Sequence, residues 1–292
     1  MPIRLTILWS FCLVLLTGGM TAPVRAKEVM LEPASKWVVN YADKACMLLR
    51  KFGTDESPFL LRMHSYGSRN HFEFSLAGKD LNGIRPGTNA GIAFGPGETL
   101  AIDRLQAGNL EGYGKSFLFS GAFERRKTEF EEEGLTVSPD PDPEFEKAVD
   151  RIALISGPRR IVLHTGKMDA PLKAMRQCVD AMMESWGLDP KVQATLSRPT
   201  KPESVEKMVR RISAHYPLGM AMTGRQGRVN VRAMIDARGM PTKCEVTQSY
   251  SERAFDELAC QIIRETAFEP ALDAKGQPTP SFYQQTILYL MH

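Results

Sequence analysis

Hydrophobic and polar residues alternate most cleanly in the last third of the chain. From Gly227 onward, Val229, Val231, Ala233 and Ile235 fall on one face, and Arg228, Asn230, Arg232, Met234 and Asp236 on the other. A period of two marks a half-buried strand. Asp236-Ala237-Arg238-Gly239 reads as a turn, since Gly239 takes positive φ at no steric cost. A second strand follows from about Lys243 to Gln248. Ser251 is then a candidate N-cap for a helix whose apolar stripe is Phe255, Leu258, Ala259, Ile262 and Ile263. Pro270 ends that helix, Gly276 turns the chain, and a last strand runs from about Tyr283 to Met291. Ahead of this unit, Val205, Met208, Val209 and Ile212 predict a helix over Val205–Ala214 that packs on the sheet. The order strand, strand, helix, strand predicts a small α+β unit, with a helix laid across a three-stranded antiparallel sheet.

The region from Lys27 to about Pro190 carries a different pattern. Phe72, Phe74 and Leu76 alternate with His71, Glu73 and Ser75. Phe59–Met63, Ala90–Phe94, Ser116–Phe123 and Arg160–His164 are further strand candidates, with Gly95-Pro96-Gly97 as a turn between the second and the third. Short alternating runs between Gly and Pro turns predict a mostly antiparallel sheet. Residues Glu144 to Ile152 look helical. A second helix opens at Ala170-Pro171, and Leu172, Met175, Cys178, Val179, Met182 and Met183 form its apolar stripe. Arg125 to Pro143 is charged and Pro-rich and reads as a plain exposed loop. Pro190 to Ser204, with Pro199 and Pro202, reads as a linker. The expected class is α+β: a mostly antiparallel β domain with a few helices over residues 27–190, a linker over 191–204 and the small domain over 205–292.

Composition changes this picture at the N-terminus and at the cysteines. Arg4, the apolar run Leu5 to Leu16 and Val24-Arg25-Ala26 have the form of a secretory signal peptide over residues 1–26, cleaved before Lys27. The alternative is an uncleaved inner-membrane anchor, although the apolar run falls short of the ~20 residues a span needs. Removing the segment takes away Arg4 and Arg25 and lowers the formal charge from +3 to +1, a balance that argues against nucleic acid as a partner. Cys46, Cys178, Cys244 and Cys260 remain, an even number in an oxidising compartment. They allow three pairings. Cys244 shares a strand face with Val246, and Cys260 lies beside the apolar stripe of the helix; the two meet if the helix covers that face. Reduced core cysteines are the alternative.

Candidate chemistry is sparse. His64, His71, His164, His215 and His292 form no His-Glu-x-x-His pattern. Gly112-Tyr113-Gly114-Lys115-Ser116 ends like a phosphate loop but lacks the leading glycine at the required distance. No Gly-x-Ser-x-Gly elbow and no Cys-x-x-Cys pair occur. His64 and His71 could face each other across a hairpin with Glu73 or Asp80 nearby, but exposed histidines at strand ends are the plainer reading. No cofactor and no catalytic residue are expected, so function has to come from protein contacts. A periplasmic enzyme with its site in the N-terminal domain is the alternative from a different class.

The C-terminal third resembles the C-terminal domain of TonB, the energy transducer of outer-membrane receptors. The resemblance rests on Tyr216-Pro217, Gly227, the Asp236…Gly239 turn, Asp256 at the helix start, Phe268, Pro270 and Ala271 after the helix, and Gly276-Gln277-Pro278. It departs where the family has Ser-Ser-Gly before a Leu-Asp; here the chain has Ser249-Tyr250-Ser251 and then Phe255-Asp256. The resemblance implies binding of an extended peptide beside the last strand, an edge formed here by Gln284, Gln285, Thr286, Ile287, Leu288, Tyr289 and Leu290. It implies a protein partner, an outer-membrane protein among the candidates, or self-association through the same edge. Members of the family with cysteines at both positions imply the pair Cys244–Cys260, which leaves Cys46 with Cys178. The long Pro-rich arm of a transducer is missing, and with a cleaved signal the mature chain has no membrane span. A periplasmic docking module is therefore the reading, with a membrane-anchored transducer for outer-membrane transport as its alternative.

Overall fold

A computed structural model of the protein describes residues 27–86, 89–126 and 141–291. The signal-peptide expectation and most of the charged stretch Arg125–Pro143 lie outside these residues. In chain order the N-terminal elements are β1 (Lys27–Leu31), β2 (Val38–Tyr41), β3 (Cys46–Gly53), β4 (Pro58–Ser65), β5 (His71–Gly78), β6 (Ala90–Phe94), β7 (Thr99–Ile102), β8 (Gln106–Leu110), β9 (Gly114–Ala122), α1 (Pro143–Ala148), β10 (Arg151–Ser156), β11 (Arg159–His164) and α2 (Asp169–Ser185). The remainder is α3 (Pro190–Ala194), β12 (Lys201–Pro202), α4 (Val205–Ala214), α5 (Leu218–Met222), β13 (Gly227–Ile235), β14 (Pro241–Ser249), α6 (Arg253–Arg264), the two-residue strands β15 (Phe268–Glu269), β16 (Ala271–Leu272) and β17 (Pro278–Thr279), and β18 (Ser281–Tyr289).

Two sheets enclose the larger core. One has the order β2-β3-β4-β5-β9-β8, the other β1-β11-β10-β6-β7. Pairing is antiparallel except between β1 and β11, which run parallel. Phe59, Phe72, Phe74, Leu76, Phe117 and Phe119 from the first sheet meet Ile92, Phe94, Ile152 and Leu154 from the second. Phe74 stacks on Phe119 at 5.2 Å between ring centroids. The six apolar residues foreseen on α2 are all buried, and this helix lies against β2 and β3. Cys178 on α2 is bonded to Cys46 on β3. Where α1 meets α2, Arg176 donates two hydrogen bonds of 2.7 Å to buried Glu146, a paired geometry that compensates the buried carboxylate.

Several local expectations change. The helix expected over 144–152 stops at Ala148, because Val149 is extended and residues 151–156 pair with β11 across the Gly157 turn. β7 and β8 intervene between the Gly95-Pro96-Gly97 turn and β9; at four and five residues they are too short to give a periodic signal. The stretch expected as a linker is folded. Asp189 caps α3 by accepting from Lys191 N at 2.8 Å, and β12 pairs with β15. Ser251 is not the cap of α6. Glu252 holds that position without a side-chain bond, while Ser249 Oγ donates to Asp256 Oδ1 at 2.6 Å.

In the C-terminal unit the sheet order is β14-β13-β18, antiparallel throughout, with α6 against β13 and β14. Val229, Val231, Ala233 and Ile235 pack with Phe255, Leu258, Ala259, Ile262, Ile263, Ile287 and Tyr289. Cys244 on β14 is bonded to Cys260 on α6. Met208 of α4 is buried here, but Val205 and Val209, expected on the packed face, are about half exposed.

Candidate functional site

β13 is the centre of the small sheet, and its two neighbours differ. Its pairing with β18 is continuous from Gly227↔Tyr289 to Ile235↔Ser281. Its pairing with β14 is broken by register shifts at Asn230/Val231 and Met234/Ile235. Such bulges bend a strand and spoil it as a template. Lys44 Nζ also donates to the Val246 carbonyl of β14 at 3.0 Å. On β18, among the described residues, no strand pairs with the side away from β13. A straight edge strand leaves alternate N–H and C=O groups without ladder partners.

The side chains of the expected binding edge divide between two faces. Tyr283, Gln285, Ile287 and Tyr289 share the face of Val229 and Val231, while Gln284, Thr286 and Leu288 stand opposite Arg232, Asn230 and Arg228 on the other. Ile287 and Tyr289 are buried, and Tyr289 donates its hydroxyl to the Phe255 carbonyl at 3.2 Å. Burial, and then the nearby Asp256 carboxylate, raise the Tyr289 phenol pKa. Gln284, Gln285, Thr286 and Leu288 are partly exposed, and Leu290 follows the last paired residue and is exposed.

The second face of β13 corrects the half-buried expectation. Arg228, Asn230 and Arg232 are buried as the apolar side is, because this face is seated on the N-terminal unit. Glu73 of β5 is 5% exposed. It accepts from Arg228 Nη2, from Asn230 Nδ2 at 3.2 Å and from Tyr66 Oη at 3.2 Å. Arg228 Nη1 reaches Gln106 Oε1 at 2.9 Å. The Arg232 guanidinium lies 3.7 Å from the Trp186 ring centroid and donates to Glu245 Oε2 at 2.8 Å. Burial lowers the Arg232 pKa against the opposing pull of Glu245. Burial, reinforced by Glu73, raises that of Tyr66 and keeps its phenol protonated. Phe282 packs on Trp186 at 5.4 Å. Glu73, Tyr66, Gln106 and Trp186 were not singled out as interface residues. The one available hint was Glu73 standing between Phe72 and Phe74, which is also the ordinary pattern of a solvated strand face.

The motif residues hold this geometry in place. Tyr216 sets its ring edge against Phe255 at 5.3 Å and Tyr289 at 6.0 Å. A Cβ at Gly227 would stand 2.5 Å from Ser251 Cβ. Asp236 Oδ1 accepts from Arg238 N and Met240 N at 2.8 and 2.9 Å, closing the turn, and these backbone bonds lower its carboxyl pKa. At Gly239, φ is +82° and a Cβ would collide with the Phe268 carbonyl. Pro270 presents its carbonyl to Arg198, Ala271 is buried, and Gly276 turns at φ +76°.

Residues 213–291 match the family model of the Gram-negative bacterial TonB protein C-terminal. The TonB C-terminal match covers just over a quarter of the chain. No curated protein matches the chain. The match supports a protein-interaction or transport-related role and an envelope setting. The two disulfides also belong to an oxidising compartment. Among the described residues, no helix is long and apolar enough to cross a membrane.

Outside the TonB-like segment, the described residues contain no group of three His, Cys, Asp or Glu side chains placed to hold a metal. His64 stands directly across from Glu73, and burial lowers its pKa despite the carboxylate. Burial takes His71 to about 4. A cleft of about 460 Å³ at the β10–β11 turn is lined by Arg85, Asn89, Ser156 and Arg159 with Gly83 and Gly157. It holds none of the residues expected at a site.

Proposed function

We propose that the protein is a periplasmic, non-catalytic docking module. Its TonB-like unit takes an extended segment of a partner protein, an outer-membrane protein being the first candidate, by strand addition to β18. Residues 1–26 act as a cleaved signal, residues 27–190 form the supporting domain, residues 205–292 form the docking domain, and no cofactor takes part. The observation that carries this reading is the contrast between the two outer strands of the sheet, neither paired on its far side among the described residues: β18 is unbulged, whereas β14 is bulged and takes a Lys44 hydrogen bond. Strand addition draws affinity from main-chain hydrogen bonds and specificity from alternate side chains. Here those side chains are Gln284, Thr286 and Leu288 on one face and Gln285 on the other.

The test is site-specific photocrosslinking in the periplasm, with the reactive residue placed at Gln285 or Leu288 of β18 and, as controls, at Lys243 or Glu245 of β14. Adducts with a partner protein are expected from β18 and not from β14. Proline at Gln284 and proline at Gln285 sharpen the result, because consecutive strand residues direct their N–H groups to opposite sides. The variant whose N–H points outward folds and loses the adduct. Equal adducts from both edges, or none, overturn the reading. Adducts only with a second copy of the chain replace the partner by self-association. The mass of the recovered protein is expected to correspond to residues 27–292. A membrane-held chain that keeps residues 1–26 would restore the transducer alternative.

A further inference from the structure

A polar relay runs from the N-terminal sheet to the middle of the edge strand. Asn230 Nδ2 donates to Glu73 Oε2 at 3.2 Å, so the amide NH2 is the end of Asn230 that faces the carboxylate. That orientation turns Asn230 Oδ1 the other way, where it accepts from Thr286 Oγ1 at 2.8 Å. Thr286 is central among the partly exposed residues of β18 and pairs with Asn230 across the ladder. The same carboxylate takes Arg228 and Tyr66, so its own position is set from both units. Docking two surfaces needs an ion pair at most; it does not need an amide handed on to the edge strand.

We propose that Glu73 is a positioning residue for the docking edge. Through Asn230 it fixes Thr286, and this holds β18 straight with its outward main-chain groups aligned for an added strand. The N-terminal unit is then an intramolecular effector of the edge. A strand bound at β18 tightens the contact between the units by the same factor as the contact tightens binding. This consequence rests on β18 being the docking edge, whereas the relay itself does not.

The experiment is amide hydrogen exchange on the full chain without any ligand, followed by crosslinking from residue 285. Asn230→Ala and Thr286→Val cut the relay and leave the Glu73–Arg228 pair in place, while Glu73→Gln removes the root. About tenfold faster exchange over residues 284–288 is expected in all three, with β14 unchanged in the first two. Thr286→Ser, which restores the hydroxyl, returns exchange to the wild-type rate. Crosslink yield falls in parallel. The proposal is overturned if Asn230→Ala and Thr286→Val leave residues 284–288 at the wild-type rate while Glu73→Gln loosens the whole interface, since Glu73 then only neutralises Arg228. If the wild type gives no crosslink at all, the docking function fails, and the exchange rates still decide the relay.

Discussion

Strands β14 and β18 flank the same central strand and are built from different materials. β14 begins at Pro241, carries two register shifts, is bonded to α6 through Cys244–Cys260 and receives Lys44 on its Val246 carbonyl. β18 keeps nine residues in register and is held by its ladder, by aromatic contacts at Phe282 and Tyr289, and by Thr286. Natural sheets blunt the edges they do not use. On the proposed reading, the difference makes β18 the side on which this sheet grows. It also shows where the covalent reinforcement went: to the bulged edge strand, leaving the regular one to weaker and reversible contacts.

The largest expected effect comes from outside the small sheet. Replacing Cys46 and Cys178 by alanine opens a loop of 132 residues in sequence separation, worth about 5 kcal/mol on the chain-entropy model. Cys46 follows closely on Lys44, so this change should also uncover β14. The urea midpoint falls and crosslinks from residues 243 and 245 appear, which would break the contrast between the edges. Replacing Cys244 and Cys260, separated by 16 residues, removes about 3 kcal/mol. Exchange rises over β14 while crosslinking from residue 285 holds, sharpening the contrast.

Acid tests the N-terminal sheet that carries Glu73. His71 is lowered to about 4 and His64 is lowered as well, both by burial. The folded state therefore binds fewer protons than the unfolded one, and stability is complete above about pH 6.5 and declines as the pH falls towards 4. The expected loss is about 1–3 kcal/mol after allowance for partial exposure. His71→Asn should flatten the dependence of the melting temperature between pH 7 and 4.5; an unchanged slope would contradict the assignment. The smallest effect belongs to Lys44→Met. Its ion pair with Glu245 spans 3.6 Å and Lys44 is half exposed, so stability changes by less than about 1 kcal/mol. Even so, new adducts from β14 should show that one side chain was closing that edge.

Elements set by strong local periodicity were legible in the chain. α2 buries the six residues of its stripe, α4 spans Val205–Ala214, and β13 begins at Gly227. Elements with weak local signals were not. β10 followed a helical start so closely that the two merged, and α3 with β12 looked like linker because short Pro-containing segments gain their structure from what they pack against. The candidate edge was placed through the family motif, and Leu290 proved to lie one residue beyond its paired part.

By itself the sequence determined which residues of β13 point together, which residues form the apolar stripe of α6, and that four cysteines follow residue 26. Only the tertiary structure decided what lies on the opposite face. Arg228, Asn230 and Arg232 have the composition of a solvated surface, and alternation reports which side chains share a face without reporting the medium that face meets. The medium here is Glu73, Tyr66 and Trp186, more than a hundred and fifty residues away in the chain for the first two. A buried cation is tolerable only where a carboxylate or aromatic face is brought to it, and folding of both units is what brings them.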